Sequence, residues 1–572
     1  MSDGLTFFFD GEARQARPGL SVAAALTDAG DRVFRHTAKG SPRGLFCGMG
    51  VCQDCLVTVD GVPNQRACMT MVEDGARVQR QIPRPELALP DGFDKQAAEP
   101  SPAGAATAVQ ELTPDVLIVG AGAGGLNAAT AASRAGAAVL VLDERKVAGG
   151  QYFKQAATDV SVLDTQQASG ARLLADARAS GARLMSGVEI WGAFAGPLLY
   201  ATAADGAPLI LRPKQLIIAT GAYERPRMVP GWTLPGVMTT GAAQTLWRSY
   251  RSLPGKRIAV CGSGPLNLQV ALELAKGGAE ICMLAESAAS PYTRPVLALG
   301  LFLAGPRLAL SGLKILLGLA RRQIPVHYQS VLVVVEQLAE GQGLRATFRG
   351  PKGEFTRELD ALCMNDGFEP QNEILRLLGA ELQYDEKFGH FRCTRDDSFQ
   401  TSISNVYAIG DCCGLGGAPA AESEGKIAGA SAALACGVAT SSADDAVSGA
   451  RRALRKAQGF QKRLWKLHDP GAGSLEDVSD DTIVCRCEEI SLGQFRAGLA
   501  GDTAHIGALK LATRAGMGCC QGRYCGPVAA RLVAQSSGQT LSDYSYFAPR
   551  VPIKPVSIAA LLATQEALDD QA

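Results

Sequence analysis

The sequence lacks three features: a net charge, a basic leader and a long uninterrupted apolar run. Its 572 residues contain 56 Lys and Arg and 56 Asp and Glu, so the formal charge is zero. Sequence-independent nucleic-acid binding depends on a basic field, and this balance argues against a nucleic-acid partner. The first residues show no basic segment followed by an apolar core, which predicts no secretory signal and a cytoplasmic protein.

The most apolar stretch, residues 296–320, is interrupted by Gly305-Pro306-Arg307 and by Lys314. Each run that remains is shorter than the ~20 residues of a spanning helix, so no transmembrane segment is predicted. A buried helix pair or a subunit interface is the favoured interpretation. The Tyr-Ser-Tyr-Phe run that begins at Tyr544 is a second candidate interface.

Cysteine is too sparse for a disulfide scaffold. Sixteen cysteines in 572 residues fall well short of the roughly 8–10% that marks such proteins. They form two dense groups, residues 47–68 and 485–525, with seven others between them. The spacing within each group must therefore indicate its role.

The middle of the chain contains an internal repeat. Segments that begin at Asp115 and Lys256 each run through an apolar strand, a glycine turn, a helix and a second apolar strand with an acidic end. This pattern predicts two βαβ units. In the first unit, Gly120, Gly122 and Gly125 allow a tight turn, a close approach to pyrophosphate and close helix–strand packing, which predicts a dinucleotide site.

Several further residues extend this site. Asp143 ends the next strand and is placed to accept a hydrogen bond from an adenosine ribose, with Glu144 as the alternative. Apolar strands also end at Ala-Thr-Gly221 and at Gly410-Asp411. Together these motifs resemble those of glutathione-reductase-like flavoproteins with two dinucleotide domains. The resemblance implies an FAD held by Gly120, Gly122, Gly125, Asp143, Glu144, Gly150, Gln151, Gly221, Gly410 and Asp411.

The second unit departs from the pattern, because Asn267 stands where a third glycine is expected. Two interpretations stay open: a retained scaffold, or an NAD site formed by Gly262, Gly264 and Glu286. A carboxylate at position 286 would repel a 2′-phosphate and so favour NAD over NADP. The sequence shows no C-x4-C pair of the disulfide-reductase type after the first unit. The adjacent Cys412-Cys413 is more simply explained as two small buried residues.

The first cysteine group has the spacing of a plant-type [2Fe–2S] site. Cys47, Cys52 and Cys55 form a C-x4-C-x2-C pattern, and Cys68 follows as the fourth ligand. The glycines between the first two cysteines let the loop wrap around a cluster. A tetrahedral zinc site is the alternative, but zinc motifs usually consist of separated C-x2-C pairs.

The second group predicts another [2Fe–2S] site. Cys485 and Cys487 form a C-x-C element, and Cys520 and Cys525 follow about thirty residues later. The spacing resembles that of domains of the bacterioferritin-associated-ferredoxin (BFD) type. The neighbouring Cys519 could be mistaken for the ligand, and the family pattern favours Cys520. Zinc remains the alternative here too.

The order of these sites resembles the flavoprotein α or A subunits of multi-subunit amine and amino-acid dehydrogenases. That family includes opine oxidase, hydrogen cyanide synthase, D-hydroxyproline dehydrogenase and heterotetrameric sarcosine oxidase. The resemblance covers nearly the whole chain, from Leu5 to about Pro555. It implies that a D-amino-acid-oxidase-like partner subunit with its own FAD oxidises the amine, while this chain relays electrons. It is also compatible with an FMN at the subunit junction.

Two other functions stay open: a self-sufficient NAD(P)H-dependent FAD/[2Fe–2S] oxidoreductase, and a non-catalytic metal-binding or redox-sensing protein. No catalytic residue is assigned, because the five histidines show no base–orienter spacing.

The predicted fold class is α/β. Two Rossmann-like dinucleotide-binding domains are expected between an N-terminal plant-type [2Fe–2S] ferredoxin-like α+β domain and a small helical C-terminal BFD-like [2Fe–2S] domain. The predicted boundaries are 1–82 for the ferredoxin-like domain, 83–113 for a linker, 114–254 and 366–437 for the two parts of the FAD domain, 255–365 for the NAD(P)-like domain, 438–480 for a helical connector, 481–540 for the C-terminal cluster domain and 541–572 for a tail.

Overall fold

A computed structural model describes residues 4–81, 109–157, 161–339, 343–438, 443–469, 478–499, 505–542 and 545–569. Most of the predicted linker, 83–113, lies outside these residues, and its last part contains the first strand of the body. Helices and sheets alternate through the chain, so the predicted α/β class is confirmed. Within the described ranges, no helix has the length and hydropathy to cross a membrane.

The N-terminal domain is a mixed five-stranded sheet with one buried helix. The strand order is β2-β1-β7-β5-β6. Side chains alternate along β1, so that Phe7 and Phe9 enter the core while Phe8 faces outward. Ser21 caps the helix by accepting a hydrogen bond from the Ala24 N–H. The elements are β1 (Leu5–Phe9), β2 (Glu12–Ala16), α1 (Val22–Asp28), β3 (Arg35–His36), β4 (Pro42–Arg43), β5 (Leu56–Val59), β6 (Val62–Arg66) and β7 (Arg77–Arg80).

The first nucleotide unit is built on a five-stranded parallel sheet of order β11-β10-β9-β15-β28. Every residue of β9 and β15 is buried, as expected for a parallel sheet covered on both faces. A separate antiparallel sheet, β12-β13-β14, pairs with β8 at its edge. The elements are β8 (Gln110–Leu112), β9 (Val116–Val119), α2 (Ala123–Arg134), β10 (Val139–Asp143), α3 (Thr165–Ala179), β11 (Arg183–Ser186), β12 (Glu189–Phe194), β13 (Leu198–Thr202), β14 (Pro208–Leu211), β15 (Gln215–Ile218), β16 (Ala222–Glu224) and β28 (Val406–Ala408).

The second unit repeats this plan with a parallel sheet of order β17-β24-β18-β19-β20. Two consecutive helices, α6 and α7, form a hairpin between β19 and β20. The elements are β17 (Val237–Thr239), α4 (Thr240–Tyr250), β18 (Arg257–Gly262), α5 (Pro265–Lys276), β19 (Glu280–Glu286), α6 (Pro295–Ala304), α7 (Pro306–Arg321), β20 (Val326–Tyr328), β21 (Val331–Gln337), β22 (Leu344–Gly350), β23 (Gly353–Leu359), β24 (Ala361–Asn365) and β25 (Phe368–Pro370).

The remaining elements complete the first unit and add a small C-terminal region. Helix α9 packs on α2 so closely that a Cβ at Gly425 would lie 2.2 Å from the Gly124 carbonyl oxygen. The elements are α8 (Glu373–Leu377), β26 (Leu382–Asp385), β27 (His390–Cys393), α9 (Ala418–Ala435), α10 (Ala443–Leu467), β29 (Ile483–Cys485), β30 (Ile490–Ser491), α11 (Leu492–Gly498), α12 (Ile506–Thr513), α13 (Gly526–Ser537) and α14 (Ile558–Asp569). The BFD-like class of residues 481–540 stays a prediction.

The two candidate interfaces differ in exposure. The 296–320 stretch forms α6 and most of α7, and it exposes Leu303 (73%) and Val296 (82%). The residues Tyr546 and Phe547 are buried within the chain, and the Tyr546 hydroxyl donates to Glu369 Oε1 at 3.1 Å. Tyr544 itself lies outside the described residues.

Candidate nucleotide and iron–sulfur sites

The first glycine turn brings strand β9 directly into helix α2. Gly122 precedes the first helical residue, so the free N–H groups of the first turn face the end of the strand. A Cβ at Gly125 would lie 1.8 Å from the Gly120 carbonyl oxygen, so only glycine fits this helix–strand contact. The turn has the geometry of a phosphate cradle.

A cavity of about 780 Å³ opens at this turn. Its size is at the upper end for cofactor sites, as an extended dinucleotide requires. Gly125 contributes to the site by allowing α2 to pack closely against the end of β9. The other nine residues predicted for FAD line the cavity: Gly120, Gly122, Asp143, Glu144, Gly150, Gln151, Gly221, Gly410 and Asp411.

The two candidate ribose carboxylates have different surroundings. Asp143 accepts backbone N–H groups from Ala121 at 2.7 Å and Arg145 at 2.8 Å, so it braces the turn. Glu144 is held between Arg66 and Lys554. Burial alone would raise the pKa of Glu144, but the charges of Lys554 and Arg66 lower it to about 2. Glu144 is therefore a fixed negative charge beside the cavity.

The Gly410-Asp411 pair, which comes late in the sequence, lies on the other side of the first glycine turn from Asp143 and Glu144. Gly410 N–H donates to Glu424 at 2.7 Å, and Asp411 accepts the Gly417 N–H at 2.8 Å. Burial raises the pKa of Asp411 to about 6. These contacts fix the loop that precedes α9 against the cavity.

Sequence reasoning missed Lys154, a buried lysine in the cavity wall. Its Nζ donates to the Gly241 carbonyl oxygen at 2.7 Å. Burial lowers the pKa of Lys154 to about 7, and the nearby Arg145 acts in the same direction. No local pattern marks this residue, because its partner is 87 positions away.

The second glycine turn contacts the end of α10. The Ser263 hydroxyl donates to the His468 carbonyl oxygen at 2.6 Å. Glu286 accepts N–H groups from Gly264 at 3.3 Å and Ala288 at 3.1 Å, and it lies 3.3 Å from His468 Nδ1. The protein itself therefore already engages both oxygens of Glu286.

The other two residues predicted for NAD keep the turn geometry. Gly262 has φ +120°, and a Cβ there would lie 1.9 Å from the Asn365 carbonyl oxygen. Gly264 lines the same cavity as the first turn. The departure at Asn267 has a structural explanation, because its amide bridges Thr240 at 2.7 Å and Asn365 at 3.0 Å.

The first cysteine group is a buried cluster of paired thiols. Cys47 pairs with Cys52, and Cys55 pairs with Cys68. Cys47 Sγ accepts the Cys52 N–H at 3.4 Å, and Cys52 Sγ accepts the Asp54 N–H at 3.5 Å. Burial would raise the pKa of Cys47, but Cys52 and the backbone N–H groups lower it to about 7. Such donors stabilise thiolates, and thiolates are the ligands of iron–sulfur clusters.

The second group contains one pair of thiols and one thiol, that of Cys487, with two neighbours. Cys485 contacts Cys525, which lowers the pKa of Cys485 to about 7 despite its burial. Cys487 contacts Cys520, and its Sγ lies 3.9 Å from that of Cys519. Cys520 is buried, whereas Cys519 is partly exposed. Burial therefore favours Cys520 as the fourth ligand.

Paired thiols suit a two-iron cluster, in which each iron takes two cysteines. Among the described residues, no three Cys, His, Asp or Glu side chains converge as ligands of a single ion would. The pairing in the first group is compatible with a [2Fe–2S] site.

A buried ion pair joins the two cysteine loops. Asp54, between Cys52 and Cys55, accepts a hydrogen bond from Arg486 Nε at 2.6 Å. Arg486 lies between Cys485 and Cys487 and stacks over Phe46 at 3.9 Å. The two candidate cluster sites are therefore separated by little more than one Asp and one Arg side chain.

The first cysteine loop also reaches the nucleotide cavity. Met49 and Val51, both between Cys47 and Cys52, line the cavity together with Glu144. The loop approaches α4 so closely that a Cβ at Gly48 would lie 2.9 Å from the Ala242 Cα.

The Cys412-Cys413 pair is fully buried beside β15. Cys412 Sγ lies 3.5 Å from Cys413 Sγ and contacts the Ile409 carbonyl oxygen at 3.2 Å. Thiol contact and burial raise the pKa of Cys412 well above its usual value. Both residues behave as unreactive core thiols.

Three family models match consecutive parts of the chain. A 2Fe-2S iron-sulfur cluster binding domain matches residues 2–83, pyridine nucleotide-disulphide oxidoreductase matches 114–434, and the sarcosine oxidase A3 domain matches 484–565. These matches confirm the predicted FAD body and the N-terminal [2Fe–2S] domain. The chain is thus a two-dinucleotide-domain flavoprotein oxidoreductase with a fused iron–sulfur domain.

Curated relatives narrow this class. The A-type subunit of opine oxidase from Agrobacterium tumefaciens (strain Ach5) is 31% identical over 463 residues, which are 78% of this chain and 91% of the relative. The sarcosine oxidase α subunit of Corynebacterium sp. (strain P-1) is 24% identical, with 98% of this chain and 56% of the relative aligned. The chain belongs to the family of the opine oxidase A-type subunits.

A solved structure has the same fold over nearly the whole chain. The crystal structure of L-proline dehydrogenase from P. horikoshii superposes with a TM-score of 0.69 at 19% identity, covering 98% of this chain and 97% of the other.

Proposed function

We propose that this chain is the electron-transferring FAD and iron–sulfur subunit of a hetero-oligomeric dehydrogenase. Its electron donor is a secondary amine or an amino acid of the opine, hydroxyproline, sarcosine or glycine type. One observation carries the proposal: the first cysteine loop lines the nucleotide cavity and is joined to the second through Asp54 and Arg486. The family includes named opine oxidase subunits, which supports the donor class.

The residues around the cavity fit an extended FAD. The first glycine turn and the N-terminus of α2 bind the pyrophosphate. Asp143, at the end of β10, is the candidate acceptor for a ribose hydroxyl, with Glu144 as the alternative, since both line the cavity. When bound, FAD accepts two electrons from a C–H oxidation, and [2Fe–2S] clusters transfer them singly. Lys154 holds an ammonium group in the cavity wall that loses its charge near pH 7.

Each cysteine group binds one [2Fe–2S] cluster in this proposal. Loop N–H groups hold the sulfurs of the first group, and Arg486 and Asp54 fix its distance from the second. The ligands are Cys47, Cys52, Cys55 and Cys68 in the first site, and Cys485, Cys487, Cys520 and Cys525 in the second.

In this proposal the amine is oxidised on a partner subunit of the D-amino-acid-oxidase type with its own FAD, and the family resemblance is compatible with an FMN at the junction. NAD has no part in the proposed reaction. The contact of His468 Nδ1 with Glu286 at 3.3 Å supports this assignment, because this side chain lies against the carboxylate that would bind a ribose. Gly262 and Gly264 then serve the fold of the second unit.

Iron analysis tests the cluster assignment. The purified chain should contain about four irons and equal acid-labile sulfide. The Cys520→Ser variant should fall to about half, because one site loses a ligand. The matched Cys519→Ser variant should keep the wild-type content. Zinc in place of iron, or an iron loss in the Cys519 variant alone, would contradict the assignment.

Anaerobic mixing tests the role in electron transfer. The chain copurified with its partner should show flavin bleaching with an amine or amino acid, whereas the chain alone should not. NADH should leave the flavin oxidised in both samples. Rapid bleaching by NADH alone would instead establish an NAD(P)H-dependent oxidoreductase.

A further inference from the structure

The hairpin formed by α6 and α7 carries an apolar face that nothing in the described part of the chain covers. We define the apolar hairpin as residues 294–322. Leu310 and Leu313 line the nucleotide cavity. The outward face consists of Val296, Leu299, Leu303 and Leu317, each exposed by at least 48%. Contiguous apolar surface of this kind marks a docking site rather than ordinary solvent exposure.

The opposite face of the hairpin is fixed to the protein. Leu301 and Leu319 point inward and are buried. A Cβ at Gly318 would lie 2.8 Å from Leu272 on α5, and one at Gly305 would lie 2.7 Å from Phe460 on α10. The exposed leucines therefore stand on a packed, rigid base.

The charges around this face have one sign. Residues 294–322 contain no Asp or Glu but contain Arg294, Arg307, Lys314, Arg321 and Arg322. The adjacent helix α10 has no acidic residue from position 446 to 468, and it exposes Arg452, Arg455, Lys456, Lys462, Arg463 and Lys466. This one-sided distribution contrasts with the zero net charge of the whole chain.

The positions of the charges complete the pattern. Arg307, Lys314 and Arg321 recur every seven residues, so they form one row along α7. Lys314 and Arg321 lie three positions before and four positions after Leu317, so they border it on the helix surface. A helix with leucines beside a row of Lys and Arg matches the interfacial amphipathic helix, whose long basic side chains reach the headgroups while the apolar side chains enter the acyl region.

We propose that the apolar hairpin docks on the surface of an anionic lipid bilayer. Residues 294–322 contain neither Trp nor Tyr, the aromatic residues that contribute most binding energy in protein interfaces, and no acidic side chain, so an anionic lipid surface is the better complement. The basic row complements lipid phosphates, and its charge should make binding depend on anionic lipid and on salt. This proposal does not depend on the proposed electron-transfer function.

Vesicle sedimentation tests the proposal with the full-length chain. Vesicles of phosphatidylcholine with an equal amount of phosphatidylglycerol should sediment the protein, and vesicles of phosphatidylcholine alone should bind at least tenfold less. Raising the salt to about 1 M shortens the screening length to about 3 Å and should release most of the protein. Equal binding to both vesicles, or no binding to either, would overturn the proposal.

Two variants separate the apolar and basic contributions. The double variant Leu299→Gln/Leu303→Gln, at two exposed positions outside the cavity lining, should lose tenfold or more in vesicle binding, because two side chains no longer enter the acyl region. Lys314→Gln should lose about fivefold, the effect of one basic residue at an anionic surface. Leu511→Gln, at a leucine 79% exposed on α12, is the matched control and should bind as wild type.

Circular dichroism and bound-flavin absorbance verify that the variants are folded. Wild-type vesicle binding by the folded double variant would contradict the assignment of the hairpin. Concentration-dependent dimerisation that the double variant abolishes, without vesicle binding by the wild type, would assign the face to a second copy and overturn the lipid proposal.

Discussion

The two βαβ units share the same local construction. In each, a glycine turn follows a parallel strand, and a carboxylate at the end of the next strand accepts one N–H from that turn and one from the residue two positions after the carboxylate. Asp143 accepts from Ala121 and Arg145, while Glu286 accepts from Gly264 and Ala288. The carboxylate therefore braces the turn in both units.

The two units differ in the contacts that distant segments of the chain make with them. In the first, the next residue, Glu144, faces a large cavity and is held by Arg66 and Lys554 from two distant segments. In the second, whose turn lines the same cavity, Ser263 is bonded to the His468 carbonyl oxygen and Glu286 lies against the His468 side chain. The βαβ plan creates a potential phosphate cradle in both units, and distant segments decide which of its side chains stay available to a ligand.

The largest effect is expected where the first turn is tightest. Gly125→Ala should abolish FAD retention and cost at least about 4 kcal/mol of stability, because its Cβ would collide with the Gly120 carbonyl oxygen. Asn267→Ala at the equivalent position should keep FAD and cost about 1–3 kcal/mol through lost hydrogen bonds. Flavin content and urea unfolding measure both. Equal flavin content and equal loss of stability in the two variants would contradict the expected difference between the two units.

The next effect concerns the contact between the N-terminal domain and the first unit. Arg66→Met leaves the buried carboxylate of Glu144 with Lys554 alone and should cost about 3–5 kcal/mol. Thermal and urea unfolding measure the loss. The control is Arg345→Met, in an exposed pair with Glu358, which should cost less than about 1 kcal/mol. Equal losses would show that Arg66 is an ordinary surface residue.

The sequence predicted the parts of these sites that depend on local pattern. Strand, glycine turn and helix follow each other within a few residues, so the cradle at Gly120 could be predicted directly. The Arg66–Glu144 pair spans 78 positions and the Asp54–Arg486 pair spans 432. Contacts at such separation leave no periodic trace in one sequence, and neither was predicted.

Burial was harder to predict than element type. Residues 296–320 are apolar enough for a core, yet Leu303 at the end of α6 is 73% exposed. Apolar composition shows that a segment will be covered but does not identify what covers it. By contrast, the adjacent Cys412 and Cys413 were expected in the core and are fully buried.

A pH effect should distinguish the first cavity from the rest of the protein. The folded-state pKa of Lys154 is about 7, below its ordinary value of 10.5. Between these values the unfolded chain binds more protons, so the free energy of unfolding should rise with pH by up to about 1.4 kcal/mol per unit. Below about pH 7, Lys154 is charged in both the folded and the unfolded state, so it adds no pH dependence to the free energy of unfolding. Urea unfolding at several pH values measures the slope.

The control for this effect removes the titrating group. Lys154→Met should flatten the rise in stability above pH 7, whereas Lys256→Met, at an exposed position, should keep the wild-type slope. A wild-type slope in the Lys154 variant would assign the pH dependence to another group.

The smallest effect is expected at the second turn. Ser263→Ala removes the hydroxyl that donates to the His468 carbonyl oxygen, and it should cost about 0.5–1.5 kcal/mol. FAD content should stay unchanged, because the first cavity keeps its turn and both of its carboxylates. Equilibrium dialysis with NAD provides the second measurement, and neither wild type nor variant should bind it, since the His468 side chain remains against Glu286. NAD binding that appears only in the variant would mean that α10 closes a working nucleotide site, and the two units would then differ in access rather than in construction.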